Sequence, residues 1–269
     1  MFGAPGSGKS FGVTQIAKSV LPGKAETLEF NVSQFTSLAD LGAAFQKARD
    51  TILCGKLPLV FFDEFDSDRD GTPLGWVKSF LMPMQDGKFK DESGEHPLGK
   101  CILVFAGGTS TSYEEFIEPL GAETLMHDML QAVRNNEAEK IVEHRIYEEF
   151  KKAKGPDFAS RLRGTINVLG PNPQNESDKN YILRRALLLR SLCGQKLDFE
   201  KNPTPISPNI VRAMLHVPKY KHGTRSMEAI LDMSRIENNA WEPASLPSYS
   251  QLSLHVDAEA FLRFVLRSK

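Results

Sequence analysis

The sequence predicts an α/β fold, in which a parallel sheet flanked by helices is followed by a small α-helical domain. Two observations lead to this prediction. Up to residue 106, apolar runs of strand length alternate with segments whose apolar residues recur at helical spacing, which is typical of a doubly wound parallel sheet. Beyond the hinge-like run Gly170–Pro173, mainly helical patterns follow. We therefore expect a large domain over residues 1–171 and a helical domain over residues 172–269.

The elements of the first domain follow from their residue patterns. Leu38–Leu53 has apolar residues three and four positions apart, so one face of a helix can pack on the sheet. Leu57–Phe62 is an uninterrupted apolar run, which is typical of a buried parallel strand. The other predictions are a helix over Thr14–Val20, a strand over Thr27–Val32, an amphipathic helical segment from Trp76 to Met84, a loop or hairpin over Asp86–Gly99, a strand over Cys101–Ala106, one or two exposed helices over Leu120–Lys154 and a short strand over Ile166–Leu169.

The second domain is predicted to consist of helices and one irregular segment. Each predicted helix has an apolar stripe that can face a common core. The predicted elements are a helix over Tyr181–Leu192, a helix that follows Pro205–Pro208, a helix over Ser226–Ile236, a loop or short strand over Pro243–Ser253 and a final helix over Asp257–Arg267.

The segment from Gly3 to Ser10 fits the pattern GxxxxGK[ST], whose chemistry is the binding of phosphate groups. Its glycines allow backbone N–H groups to surround a polyphosphate, and the helix that begins near Lys9 adds the positive end of its dipole. Lys9 would contact the β and γ phosphates, and the Ser10 hydroxyl would bind Mg²⁺. The pattern therefore predicts binding of ATP or GTP. The candidate nucleotide-binding residues are Gly3, Ala4, Pro5, Gly6, Ser7, Gly8, Lys9, Ser10 and Phe11.

Two carboxylates, Asp63 and Glu64, follow the apolar run Leu57–Phe62. Ligands of parallel α/β sheets bind beyond the carboxyl ends of the strands, so we expect this pair and the phosphate loop to meet in one crevice. Asp63 would then contribute to the Mg²⁺ shell, and Glu64 would orient and deprotonate a water for in-line attack on the γ phosphate. The alternative is a solvated strand end without a catalytic role.

Composition and charge argue against several other classes of protein. The net charge is −1, which gives no sign of a broad electrostatic attraction to nucleic acid or to an anionic membrane. Cys54, Cys101 and Cys193 lack the spacing of a zinc site or a disulfide framework, so we expect small buried residues of a reducing compartment. The sequence has no apolar run of membrane-spanning length and no signal-peptide pattern, and we therefore expect a cytoplasmic protein.

Only Met1 and Phe2 precede the phosphate loop, although such a loop normally leaves the end of a central hydrophobic strand. We therefore expect that the first strand of the sheet is truncated, because the start is misplaced or because the chain is a piece of a longer protein. The loss of that strand would leave backbone groups of its neighbours unpaired, and we expect it to weaken nucleotide binding.

The order of these parts resembles the AAA+ ATPases, and most closely their Clp-type branch. The resemblance rests on the phosphate loop, the strand end Phe61–Asp66, the segment Phe80–Gly87 and two arginine motifs. It implies a Mg²⁺-dependent ATPase made of a large nucleotide-binding α/β domain and a helical lid. It also implies a homo-oligomer, a ring or partial ring, in which ATP is hydrolysed between adjacent subunits.

The arginine motifs supply further candidate residues through the same resemblance. Pro156–Leu162 is similar to the end of the family's large domain, which makes Arg161 a candidate arginine finger for the γ phosphate of a neighbouring subunit, with Arg163 as the second choice. The segment Gly223–Arg225 is similar to the family's GxR segment in the lid. Arg225 is therefore the candidate second sensor, which would contact the γ phosphate in cis. Surface arginines at helix ends are the alternative.

Two departures from the family limit what the resemblance implies. The strand that usually ends in a polar sensor asparagine is followed here by Gly107–Ser110, so positioning of the lytic water falls to Thr109 or to no side chain, and turnover is expected to be slow. Only Ser33–Ser37 separate the second strand from the next helix, where Clp-type unfoldases have a longer loop that binds polypeptide in the central pore. A threading motor would therefore lack its substrate-binding residues.

These features lead to one main hypothesis and to alternatives. We expect ATP hydrolysis coupled to domain movement, which would remodel or switch an unknown protein partner through domains outside this chain. The glycine-ended strand favours an ATP-gated switch or scaffold with little turnover instead. A DNA-acting loader would need a basic face, to which Lys151 and Lys219 could contribute, but the net charge gives it no support. A small-molecule kinase would have no use for the paired arginine motifs.

Overall fold

A computed structural model describes residues 1–4, 6–121, 146–197, 205–236 and 240–266 of the 269-residue chain. The chain divides into two compact units. Unit 1 contains Met1–Gly3 and Lys9–Val168, and unit 2 contains Ala4–Gly8 and Leu169–Lys269. No helix within these described ranges combines the length and the apolar composition that crossing a membrane requires.

Unit 1 has the predicted α/β order of strands and helices. The predicted helix over Leu38–Leu53 has these bounds in the structure, and the polar segment after residue 86 forms a two-stranded hairpin. The described elements are α1 (Lys9–Val20), β1 (Ala25–Asn31), a 3-10 helix (Val32–Gln34), α2 (Leu38–Leu53), β2 (Leu57–Asp63), α3 (Val77–Asp86), β3 (Lys88–Asp91), β4 (Gly94–Pro97), β5 (Ile102–Ala106), α4 (Tyr113–Gly121) and α5 (Gly155–Ala159).

The sheet of unit 1 has the strand order β1-β2-β5, and both strand pairs are parallel. The register aligns Asn31, Asp63 and Ala106, which are the last residues of the three strands. β2 lies between the other two strands, and its residues 58–62 are buried. Burial on both faces explains why the sequence shows an uninterrupted apolar run at this strand.

The first two residues of the chain pair with backbone groups beside β5. The Gly107 N–H donates to the Met1 carbonyl oxygen at 2.9 Å, and the Val168 N–H donates to the Phe2 carbonyl oxygen at 2.7 Å. Phe2 also forms a parallel bridge with Asn167. Because the Met1 amino group also donates to the Phe105 carbonyl oxygen, the chain runs in the same direction as β5 at this point and reaches the carboxyl edge of the sheet at Phe2.

An aromatic cluster fills the core of unit 1 between the sheet and α5. Phe62, Phe80 and Phe105 have ring centroids 4.9 to 5.7 Å apart, and Phe158 of α5 stacks on Phe65 at 5.1 Å. Such rings bury large apolar areas and add geometric preferences of their own. Because Phe65 follows the carboxylate pair directly, this packing fixes the turn that leaves β2.

Unit 2 is helical, as predicted, but one of its segments differs from the prediction. The expected loop or short strand over Pro243–Ser253 is wrong, because Ser248 and Gln251 form a capping box that starts a helix there. The described elements are α6 (Tyr181–Lys196), α7 (Pro208–His216), α8 (Thr224–Met233), a 3-10 helix (Pro243–Ser245), α9 (Tyr249–His255) and α10 (Ala258–Leu266).

Three smaller predictions differ from the structure or lie outside it. Cys193 is buried as expected, but Cys101 is only half-buried and Cys54, at the end of α2, is exposed. The strand expected over Ile166–Leu169 consists of a single bridged residue, Asn167. Most of the helical region predicted over Leu120–Lys154 lies outside the described residues.

Arg185 of α6 is a fully buried cation that joins several segments of unit 2 through hydrogen bonds. Its guanidinium donates to the carbonyl oxygens of Pro171 at 2.7 Å, Leu215 at 2.8 Å and Val217 at 2.6 Å. It also lies 4.9 Å from the centre of the Tyr220 ring. Burial lowers the pKa of this guanidinium. Since carbonyls at the end of a helix carry partial negative charge, those at the end of α7 stabilise the buried charge.

Replacing Arg185 with methionine should destabilise unit 2. Arg185→Met retains an apolar stem but removes the donors from buried carbonyls, and we expect the free energy of unfolding to fall by about 3 kcal/mol. Denaturant titration followed by circular dichroism measures this change. Arg190→Met is the matched control, because Arg190 is on the same helix and is exposed, and it should stay within about 0.5 kcal/mol of the wild type. Equal stability of the two variants would contradict the role of Arg185.

Candidate functional site

The carboxyl edge of the sheet carries the residues that the strand pattern singled out. Asp63 is the last residue of β2 and pairs in register with Ala106, the last residue of β5. Asp63 and Glu64 are both half-buried. The chain reaches the same edge through Phe2, and Gly3 then begins the phosphate loop. The parallel register therefore puts the start of the phosphate loop and the carboxylate pair at one edge of unit 1.

The phosphate loop has two glycines in a backbone conformation that other residues rarely adopt. Gly6 has a φ of 72° and Gly8 a φ of 90°. α1 begins at Lys9, as predicted, so the N–H groups of its first turn lie directly after the loop. The Lys9 ammonium donates to the Gly3 carbonyl oxygen at 2.7 Å and so closes the loop. Pro5 lies outside the described residues.

Unit 2 contains a cavity of about 570 Å³ that is lined by phosphate-loop residues and by basic side chains. At the loop, the Thr224 N–H donates to the Gly6 carbonyl oxygen at 2.7 Å. A Cβ atom at Gly6 would lie only 2.5 Å from the His222 carbonyl oxygen, so this close approach requires glycine. The loop residues at the cavity are Ala4, Gly6 and Ser7, and the basic residues are Lys219, Lys221, His222, Arg225 and His255.

Two observations indicate that this cavity suits an anionic ligand. The Ser7 hydroxyl is buried and has no hydrogen-bond partner among the described residues, which is a costly state for a polar group. Burial, and then the neighbouring His222 and Lys221, lowers the pKa of His255. The contribution of the two basic neighbours to this shift is smaller than that of burial, and it reflects the basic side chains grouped at the cavity. A polyphosphate would provide an acceptor for the Ser7 hydroxyl and negative charge for the basic side chains. The residues present therefore fit such a ligand.

Glu64 has a strained backbone at the start of the turn that follows β2. Its φ of 52° lies in the left-handed region, which costs a residue with a side chain about 1 kcal/mol. Two hydrogen bonds support this turn: the Glu64 N–H donates to Asp63 Oδ1 at 3.2 Å, and the Ser67 N–H donates to the Glu64 carbonyl oxygen at 3.0 Å. The chain therefore reverses directly after Asp63, and Glu64 lies at the corner.

Asp66 is a buried carboxylate whose role the sequence analysis missed, since it noted this residue only as part of the strand-end motif. Asp66 is 3% exposed and accepts hydrogen bonds from the loop that follows β5. One donor is the Thr109 hydroxyl at 2.6 Å. Thr109 can therefore accept a hydrogen bond from a water, but its own proton is used by Asp66. A third carboxylate three positions after Asp63 was the signal available in the sequence.

The two arginines near the end of unit 1 have different surroundings. Arg161 is half-buried, and its Nε and Nη2 donate to Gln85 Oε1 at 3.1 and 2.5 Å, while Nη1 donates to the Asp157 carbonyl oxygen. Arg163 is exposed. Gln85 belongs to the last turn of α3, so Arg161 is bound to that helix end rather than to the carboxylate pair.

The remaining predicted residues lie in the first turns of two helices. Ser10 and Phe11 are half-buried at the start of α1, and Arg225 is exposed at the start of α8. In unit 1, Asp63, Glu64 and Thr109 lie at the carboxyl ends of β2 and β5, and Lys9 is bound to Gly3, which follows Phe2 at the same edge. In unit 2 it collects Ala4, Gly6, Ser7 and Arg225 around the basic cavity.

Comparison with known protein families identifies the nucleotide-binding part of the chain. The model of the family described as "ATPase family associated with various cellular activities (AAA)" matches residues 1–121. This range includes the phosphate loop, the carboxylate pair and Thr109. A search of curated proteins gives no match. The resemblance to the Clp-type branch stays a prediction. Residues 1–121 of the chain are therefore similar to the AAA family of ATPases.

Proposed function

We propose that this AAA-like domain binds ATP with Mg²⁺ and hydrolyses it at the carboxyl edge of the unit 1 sheet. One observation carries the proposal. Asp63 ends β2 in register with the end of β5, and the chain passes from Phe2, at the same edge, into the phosphate loop. Phosphate binding at a helix start and carboxylates at a strand end are the two elements that phosphoryl transfer to water requires.

The proposed nucleotide-binding residues would contact different parts of the triphosphate. The N–H groups of the loop and of the first turn of α1 would bind phosphate oxygens, and Lys9 would exchange its contact with the Gly3 carbonyl for the β and γ phosphates. Ser10 and Asp63 would hold Mg²⁺, which when bound neutralises charge that develops on the phosphate oxygens. Arg225 is proposed to respond to the γ phosphate from the helical unit.

Glu64 is proposed to act on the water that attacks the γ phosphorus. The water oxygen forms a bond to phosphorus while the bond from phosphorus to the β-γ bridging oxygen breaks, and the water proton passes to the Glu64 carboxylate. The products are ADP and inorganic phosphate. Glu64 suits this task because it follows Asp63, the last residue of β2 that pairs with β5, and so lies just beyond the carboxyl end of the strand.

We further propose that ATP is hydrolysed between subunits of a homo-oligomer, which remodels or switches a partner protein. Arg161 would supply the positive charge for the γ phosphate of the adjacent subunit, and its contact with Gln85 would set the direction of its guanidinium. Arg163 is the alternative donor, since it is exposed at the same end of unit 1.

An ATP-gated switch with little turnover is the second candidate function. The observation that favours it is the Thr109 hydroxyl, which donates to Asp66 at 2.6 Å. With its proton given to Asp66, the Thr109 hydroxyl could contact the attacking water only as an acceptor, and weaker positioning of the water would let the bound nucleotide persist for longer.

Glu64→Gln distinguishes hydrolysis from switching. Glutamine keeps the shape of the side chain but cannot accept the proton, so we expect kcat to fall by at least about 100-fold while ATP binding is retained. Steady-state release of phosphate and calorimetric titration of ATP measure the two effects. Glu92→Gln, the same change at an exposed position of the hairpin, is the control and should leave both unchanged. A Glu64→Gln protein with wild-type turnover would exclude the proposed mechanism.

A mixing experiment tests the arginine finger. Arg161→Ala alone should reduce kcat by about 1,000-fold, because the charge on the transferred phosphoryl group loses its stabilisation. Mixed with Glu64→Gln protein, it should regain activity, since some interfaces then combine an intact Glu64 with an intact Arg161. Arg163→Ala serves as the control and should remain active. If the mixture stays as inactive as its parts, Arg161 does not act across a subunit interface.

A further inference from the structure

Asp66 lies in the turn that follows β2 and is bound to the loop that follows β5. Both carboxylate oxygens accept hydrogen bonds from the loop after β5: Oδ1 from the Gly108 N–H at 2.7 Å, and Oδ2 from the Thr109 N–H at 3.0 Å and hydroxyl at 2.6 Å. Hydrogen bonds to an ionised acceptor are shorter and stronger than those between neutral groups. The loop is therefore tied to the turn that carries the carboxylate pair.

The same loop packs directly against Glu64. A Cβ atom placed on Gly108 would lie 2.9 Å from Glu64 Cγ, closer than real Cβ atoms approach, and one on Gly107 would lie 3.0 Å from Phe2 Cδ1. The two glycines thus leave room for the Phe2 ring and for the stem of Glu64. This contact explains why glycines follow β5.

We infer that Asp66 is a positioning residue, which fixes the Glu64 side chain by holding Gly108 and Thr109 against it. The inference rests on the proposed role of Glu64 in hydrolysis. The strained φ of 52° at Glu64 agrees with it, because such a backbone persists only where the surroundings determine it. Phe65 anchors one side of this turn, since its N–H donates to the Ala106 carbonyl oxygen at 3.3 Å. Asp66 anchors the other.

Asparagine cannot replace Asp66 in this arrangement. A carboxylate is an acceptor at both oxygens, whereas an amide has one acceptor and one donor group. In Asp66→Asn, the NH₂ group would face either the Gly108 N–H or the Thr109 donors, so one set of contacts is lost. The loop would then move away from Glu64 without any change to the residues proposed to bind ATP.

The experiment compares Asp66→Asn with two further variants. Gly108→Ala displaces Glu64 directly but leaves the contacts between Asp66 and Thr109 in place. Asp70→Asn is the control, because it makes the same chemical change at a side chain that is 86% exposed. For each full-length protein, the readouts are kcat for Mg²⁺-ATP, the Kd of ADP, and amide hydrogen exchange at residues 108 and 109.

For Asp66→Asn we expect faster amide exchange at Gly108 and Thr109, an ADP Kd within about twofold of the wild type, and a kcat reduced by about 10- to 100-fold. Gly108→Ala should reduce kcat similarly while the Thr109 amide stays protected. Asp70→Asn should resemble the wild type in all three readouts. A selective loss of kcat separates positioning from a general structural role, which would change ADP affinity as well.

Three results for Asp66→Asn would overturn the inference: a wild-type kcat, a lower kcat with unchanged amide exchange, or equal losses in kcat and ADP affinity.

If Asp66→Asn fails to fold, the Gly108→Ala variant takes its place, and wild-type turnover in Gly108→Ala counts against the inference. If the wild type itself does not hydrolyse ATP, the proposed function fails instead. In that case the rates of amide hydrogen exchange at Gly108 and Thr109 still test whether Asp66 holds the loop. Equal rates in the wild type and in Asp66→Asn would show that it does not.

Discussion

The parallel register of β2 between β1 and β5 is the constraint on which the rest of unit 1 depends. The side chains of β2 alternate between the two faces of the sheet, and residues 58–62 are buried, so a slip by one residue would exchange those faces. Val60 and Phe62 pack in one apolar cluster and Leu59 and Phe61 in another, so the packing of both faces opposes such a slip. As a consequence Asp63 and Ala106 end their strands side by side, and the polar groups that follow them meet at one edge. The candidate site is thus a product of core packing.

Each unit contains a buried charge whose hydrogen bonds go mainly to the backbone. Asp66 accepts from the N–H groups of Gly108 and Thr109, and Arg185 donates to the carbonyls of Pro171, Leu215 and Val217. A buried charge is stable only when its hydrogen-bonding capacity is satisfied, and backbone groups satisfy it only in one arrangement of the chain. Such residues therefore determine the position of loops, whereas the apolar core determines which elements pack.

Much of the fold, and less of the site, could be predicted from the sequence. The strand before Asp63 could be predicted because burial on both faces requires an uninterrupted apolar run. The helix after Gly8 could be predicted because a phosphate-binding loop is followed directly by a helix. The contact of Asp66 with Gly108 joins residues 42 positions apart and depends on strand order, which no local pattern contains. The helix α9 was missed because its proline- and serine-rich start is typical of loops, although its serine caps the helix.

The central claim is that the phosphate loop and the carboxylate pair bind one Mg²⁺-ATP. Calorimetric titration of ATP, with and without Mg²⁺, tests it most directly in the wild type, in Lys9→Ala and in Lys18→Ala, which changes an exposed lysine of the same helix. The account predicts Mg²⁺-dependent binding that Lys9→Ala weakens by at least about tenfold and Lys18→Ala leaves intact. Binding that is equal in the two variants, or indifferent to Mg²⁺, would contradict it.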